Sequence, residues 1–96
     1  MDKYTFGNSK AAINLIRTLD ELGDVKLQRG VSSVLSKYAT AMAQIMFIPS
    51  KTTREAILQL WLAKVSALIE DSPWPEIIKT HVRCVAVGLY RAYLKK

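Results

Sequence analysis

The stretch from Met42 to Ile69 constrains the fold of this chain more than any other. It consists of two apolar helical patterns separated by Pro49. A proline pushes the residue before it out of the α-helical region, so the first helix must end before Pro49. The second pattern is apolar around most of its circumference, and such a helix needs cover on more than one side. We therefore expect several helices to pack around this stretch.

Few residues that break regular structure interrupt the chain, with four glycines and three prolines among 96 residues. Half of the residues are hydrophobic, which suffices for one core. We predict an all-α antiparallel four-helix bundle without a sheet, forming a single domain over residues 1–96. The alternative is a less regular orthogonal array of four or five helices.

Local signals predict the helix ends. The predicted helices span roughly residues 9–22, 25–48, 52–70 and 73–95. Asn8 or Ser9 can cap the first helix, Gly23 can take the left-handed position that ends it, and Asp24 can cap the second. Gly30 disfavours a helix. In the alternative interpretation the second helix begins near Gly30, and Asp24–Arg29 forms a separate short fifth element, a turn.

The third and fourth helices also carry start signals. The spacing of Thr52 and Glu55 predicts a capping box, with Ser50 as the alternative cap. Ser72 followed by Pro73 predicts the cap and first turn of the fourth helix.

Apolar residues at helical spacing predict the core. In the first two helices these residues are Ala12, Leu15, Ile16, Leu19, Leu22, Leu27, Val31, Leu35, Tyr38, Met42 and Ile45. In the last two they are Leu58, Trp61, Leu62, Val65, Leu68 and Ile69, with Ile57 at the edge, and then Trp74, Ile78, Val82, Val85, Leu89 and Tyr93. Tyr4 and Phe6 are expected to fold back over one end of the bundle.

Catalytic and metal-binding patterns are missing from the sequence. His81 and Cys84 lie one helical turn apart, but they are the only histidine and the only cysteine. A nucleophile–base pair also needs an orienting group, and a metal site needs three or four converging ligands. We expect no enzyme activity, no cofactor and no metal.

The sequence also bears on the compartment. The first ten residues lack the apolar segment of a signal peptide, and no apolar run is long enough to span a membrane. A single cysteine, Cys84, cannot form an internal disulfide, which fits a reducing compartment. We predict a cytoplasmic protein, in the cell that makes it or in an infected host.

The basic charge is unevenly distributed. The net charge is +6, with +3 in residues 25–48 and +4 in residues 73–96. Such a balance favours an acidic partner, either a protein or nucleic acid. The basic residues that can contact phosphates are Lys26, Arg29, Lys37, Lys79, Arg83 and Arg91. Residues 30–34 have the composition of a helix-turn-helix turn, but the spacing around them is poor.

Two further apolar surfaces predict contact with a partner. The fourth helix carries Arg83, Val87, Tyr90 and Leu94 opposite its core stripe, beside Arg91. The third helix carries a smaller patch of Ala56, Leu60 and Ala67, flanked by Lys64. Tyrosine and arginine are enriched in protein interfaces, and exposed apolar patches mark interaction sites.

We therefore predict a small non-enzymatic protein-interaction module, of the inhibitor, adaptor or immunity type. It is expected to bind an acidic protein and to form a homodimer. The predicted contact residues are Leu60, Arg83, Val87, Tyr90, Arg91 and Leu94. The alternative is a basic regulator that binds nucleic acid.

Overall fold

The computed structural model describes residues 10–95, and this part of the chain forms four α-helices and no strand. The helices are α1 (Lys10–Leu22), α2 (Val25–Ile45), α3 (Lys51–Asp71) and α4 (Glu76–Leu94). The prediction of an all-α four-helix bundle is confirmed. The predicted cap at Asn8 or Ser9 and the predicted cover by Tyr4 and Phe6 lie outside the described residues.

The last helix, α4, is the centre of the bundle. Its interfaces with α1 and with α3 are the largest, and no Cα atom of α1 lies within 8 Å of one in α3. The α2 helix packs across α3 and α4 and barely contacts α1. Because α1 and α3 flank the bundle, each has a face that no described helix covers.

The core consists of one cluster that includes all four helices. Its buried members are Ala12, Leu15, Leu19, Val31, Leu35, Tyr38, Met42, Leu58, Trp61, Val65, Ile69, Ile78, Val82, Val85, Ala86 and Leu89. The core prediction is wrong at Ile16, Leu22 and Leu68, which are 50%, 49% and 56% exposed. The flanking helices are covered on one side only, so these residues at the edges of the stripes remain open.

The second helix is continuous through Gly30. Asp24 caps it, and its side chain accepts a hydrogen bond from the Leu27 amide at 3.1 Å. The interpretation of Asp24–Arg29 as a separate element is therefore wrong, as is a helix-turn-helix turn at Gly30. Gly23 does end α1 in the left-handed region, with φ +67°.

The joint before the third helix differs from the predicted one. The amide of Ile48 donates to the carbonyl of Ile45, so the chain after α2 tightens before it reaches Pro49. Ser50 caps α3, and its Oγ accepts from the Thr53 amide at 3.3 Å. The predicted capping box at Thr52 is therefore wrong, and the alternative cap is the one used.

The start of the fourth helix was also predicted wrongly. Ser72 ends α3 rather than beginning α4, because its hydroxyl donates to the Ile69 carbonyl at 2.7 Å. Pro75 keeps Trp74 out of the helical region. The helix therefore starts at Glu76, with Pro75 as a cap that makes no side-chain hydrogen bond.

Candidate interaction surfaces

The outward face of α3 presents an apolar strip to solvent. Leu60 is 70% exposed, and Ala56, Ala63 and Ala67 are exposed on the same side of the helix. We call these four residues the α3 strip. They lie opposite the buried side chains of Leu58, Trp61, Val65 and Ile69. The sequence identified Ala56, Leu60 and Ala67 but missed Ala63, which completes a 4-3-4 spacing.

The two ends of the α3 helix carry opposite charge. Lys51 is the first residue of α3 and is exposed, while Glu70 and Asp71 are exposed in its last turn. The exposed Lys64 flanks the middle of the strip. The helix dipole adds positive potential at the Lys51 end and negative potential at the Asp71 end. The α3 helix therefore has a positive N-terminal end and a negative C-terminal end.

The predicted contact stripe on α4 is only partly open. Tyr90 and Leu94 are half-buried and pack against the core, and Val87 is also half-buried. The stripe lies on the side of α4 that approaches α3, so the bundle itself covers much of it. Arg91 is exposed at its border. Tyr90 therefore has little free surface with which to anchor a partner.

Two cations of α4 are held by the end of α3. The Arg83 guanidinium lies 3.2 Å from the Glu70 carboxylate and 3.5 Å from that of Glu76. The ammonium of Lys79 donates to the Glu70 carbonyl at 2.7 Å. The two contacts with Glu70 tie α4 to α3, whereas Glu76 belongs to α4 itself. Together they leave Arg83 and Lys79 with less freedom to meet an external anion.

A groove between α3 and α4 lies beside these contacts. Its volume is about 470 Å³, and it is lined by Leu62, Ser66, Thr80, Arg83, Cys84, Val87, Gly88 and Arg91. The sequence pattern of a single helix could not predict it, because its walls come from two helices. The residues that line the groove do not include a nucleophile together with a general base.

The candidate pair on α4 does not form a nucleophile–base arrangement. Cys84 is exposed and His81 is half-buried, and the structure shows no hydrogen bond between them. Within residues 10–95, no three His, Cys, Asp or Glu side chains are placed to hold a metal ion.

The six candidate phosphate-contacting cations fall on two helices. Lys26, Arg29 and Lys37 lie on α2 and are all exposed. The other three, Lys79, Arg83 and Arg91, lie on α4, where the first two are engaged as described above. The three α2 cations and Arg91 are exposed and form no ion pair with a described residue.

Further apolar side chains are exposed at places the sequence did not single out. Phe47, in the turn between α2 and α3, is 86% exposed. The others are Ile13, Val25 and Ile77. The exposure of Phe47 could have been predicted from its position close to Pro49. A residue there lies outside both helices, so no helical face can bury it.

Comparison with known proteins gives no relative from which a function could be transferred. No protein-family description matches the chain, and no curated protein or solved structure matches it. Among the described helices, none has the length and apolar character needed to cross a membrane.

Proposed function

We propose that this protein is a non-enzymatic helical interaction module and that its first partner is a second copy of itself. The exposed α3 strip carries the proposal. Leu60 exposes most of its side chain at the centre of a face that is otherwise alanine. A helix that is apolar on both sides is normally covered on both sides.

The spacing of the α3 strip suits an antiparallel pairing of two α3 helices. The residues follow the 4-3-4 order of a helix–helix seam. A two-fold axis near the middle of the strip sets Leu60 against Ala63 of the partner subunit, and Ala56 against Ala67 of the partner subunit. Each leucine then fills the space above an alanine, and the same patch serves both copies.

The charge at the ends of α3 favours the same direction of pairing. An antiparallel arrangement brings Asp71, at the acidic C-terminal end of α3, near the positive N-terminal end of the helix dipole of the partner subunit's α3. A parallel arrangement would place like charges side by side. Electrostatic complementarity of this kind determines orientation more than affinity.

The interface would be small. One pair of helices buries less than the roughly 800 Å² per partner of a standard interface, so we expect dissociation in the micromolar range. Binding of an acidic protein, with Arg91 at the rim, is the further role proposed for this module. The exposed thiol of Cys84 supports a reducing, cytoplasmic location, since exposed free cysteines oxidise readily elsewhere.

Analytical ultracentrifugation over a range of micromolar concentrations tests the homodimer. We expect the wild-type protein to dimerise and Leu60→Asp to be monomeric, because the variant buries two charges at the seam. Gln59→Asp is the matched control, since Gln59 is exposed on the flank of the same helix. A wild-type protein that stays monomeric throughout this range would refute self-association through the α3 strip.

A further inference from the structure

The outward face of α2 is hydrophilic and contains no acidic residue. Between Lys26 and Gln44, the exposed residues of α2 are Lys26, Arg29, Ser32, Ser33, Ser36, Lys37, Thr40, Ala43 and Gln44. The whole of α2, from Val25 to Ile45, has no aspartate or glutamate. A solvated helix face usually carries both signs of charge, so this face differs from an ordinary surface.

The polar groups on this face have few partners within the protein. Lys26, Arg29 and Lys37 form no ion pair with a described residue. Thr40 donates to the Ser36 carbonyl, but no hydrogen bond to a described residue engages the hydroxyls of Ser32, Ser33 and Ser36. Donors that the fold itself does not use remain available to a ligand.

The acidic residues that precede this face in the sequence are held by hydrogen bonds from the first turns of α2. Asp24 accepts from the Leu27 amide as the helix cap, and Asp20 accepts from the Gln28 side chain at 2.9 Å. Both precede Arg29, and from Arg29 to Gln44 the α2 helix itself contributes two positive charges and no negative charge. The buried residues on the opposite side of α2 are Val31, Leu35, Tyr38 and Met42. Their burial orients the basic face towards solvent.

We propose that this α2 face binds the phosphate backbone of duplex nucleic acid. Phosphate and sugar oxygens are contacted mainly by Arg and Lys and by the side chains of Ser, Thr and Gln, which are the residues present here. Lys26 and Lys37 are about 16 Å apart along the helix axis. A duplex presents one charge per about 1.7 Å of its axis, so all three cations can meet phosphates together.

The composition of the face argues against other acidic partners. The centres of protein interfaces favour aromatic residues and are depleted in lysine and serine. Helices that lie on membranes need large apolar residues, and single strands are held by stacking on aromatic rings. Between Lys26 and Gln44, the exposed part of α2 offers no aromatic and no large apolar side chain. Duplex binding through the backbone requires none of these.

Fluorescence anisotropy with labelled DNA and RNA duplexes of random sequence tests the proposal. Three phosphate contacts predict that affinity falls about 40-fold between roughly 50 and 200 mM salt. Replacing Lys26, Arg29 and Lys37 by Gln should weaken binding at low salt by about tenfold or more and remove most of the salt dependence. The matched control replaces Lys10, Arg17 and Lys95 by Gln, since these are also exposed and carry the same total charge.

A second pair of variants adds charge instead of removing it. Ser33→Glu places a carboxylate in the middle of the face and should weaken binding, though less than the triple variant does, because it changes the charge by one and not by three. Thr80→Glu adds the same charge at an exposed position on α4 and should leave binding within about twofold of the wild type. Circular dichroism confirms that each variant is folded.

Several results would overturn the proposal. They are no duplex binding at low salt, an equal loss in the triple variant and its control, and tighter binding to a single strand than to the duplex. Tighter binding to poly-glutamate or to phosphatidylserine vesicles than to the duplex would assign the face to a protein or a membrane instead. The measurement does not depend on self-association, because α2 and the α3 strip can be varied separately.

Discussion

The ring of Tyr38 on α2 meets the ring of Trp61 on α3 edge to face, with their centroids 6.2 Å apart and their planes at 85°. Both side chains are buried in the common core. Such an arrangement contributes about 0.5–1.5 kcal/mol beyond the area that the rings bury. The contact joins the two helices on either side of Pro49, so it fixes how α2 packs on α3.

Trp61→Ala should destabilise the protein strongly. Removing a buried tryptophan lowers the free energy of unfolding by about 3–5 kcal/mol, because a cavity remains and the contact with Tyr38 is lost. Urea unfolding followed by far-ultraviolet circular dichroism measures the change. Gln59→Ala is the control on the exposed side of the same helix and should change stability by less than about 0.5 kcal/mol. Equal effects of the two variants would contradict the burial of Trp61 and the exposure of Gln59 on α3.

Alkaline pH should weaken the fold through Tyr38. Burial raises the pKa of this phenol above its ordinary value of 10.0. The unfolded chain therefore loses this proton at a lower pH than the folded protein does. The stability that depends on the protonated phenol is complete below pH 10.0 and is lost as the pH rises through the raised pKa.

Comparison of the wild type with Tyr38→Phe isolates this effect. The wild type should lose stability more steeply than the variant above about pH 10, since all other ionisable groups are shared. Urea unfolding at a series of pH values provides the measurement. Parallel curves for the two proteins would show that Tyr38 is accessible to water in the folded state.

Two glycines should respond to alanine in opposite directions. Gly30 lies inside α2, and a methyl group added there meets no atom within 4 Å. Gly30→Ala should stabilise the protein by about 0.5–1 kcal/mol, because it restores helix propensity. Gly23 has φ +67°, so Gly23→Ala should destabilise by about 1–2 kcal/mol. Thermal unfolding of both variants tests the pair, and a destabilising Gly30→Ala would contradict a continuous α2.

Sequence reasoning could predict the class of fold because the seam of α2 is unambiguous. Val31, Leu35, Tyr38 and Met42 follow one another at steps of four, three and four residues and are all buried. It failed at Ile16 and Leu68 for a common reason. A stripe shows which way a helix faces but not how wide the covering surface is, and α1 and α3 are covered on one side only.

The candidate surfaces were predictable to different degrees. Leu60 could be identified because it lies opposite the main face of its own helix. The partial burial of Tyr90 could not be predicted, because it depends on how the other helices pack against α4. The charge of α2 was visible in the sequence, but its concentration on one exposed face required the orientation of the helix.

The cap of α3 gives the sharpest test of the local structure. Ser50 accepts the Thr53 amide at 3.3 Å, whereas the sequence favoured a capping box beginning at Thr52. Ser50→Ala should destabilise the protein by about 0.5–2 kcal/mol, because an amide in the first turn of α3 loses its acceptor. Thr52→Ala should change stability by less than about 0.5 kcal/mol, since Thr52 is exposed within the helix.

Differential scanning calorimetry distinguishes the two caps. For a domain of this size, 1 kcal/mol corresponds to a shift in Tm of about 4–8 °C, so the Ser50→Ala effect is measurable. Ser50→Asp keeps an acceptor at the same position and should retain most of the wild-type Tm. If Thr52→Ala lowers the Tm as much as Ser50→Ala does, the helix begins two residues later in solution. The turn that holds Phe47 and Pro49 would then be longer than the structure shows, because Ser50 and Lys51 would belong to it.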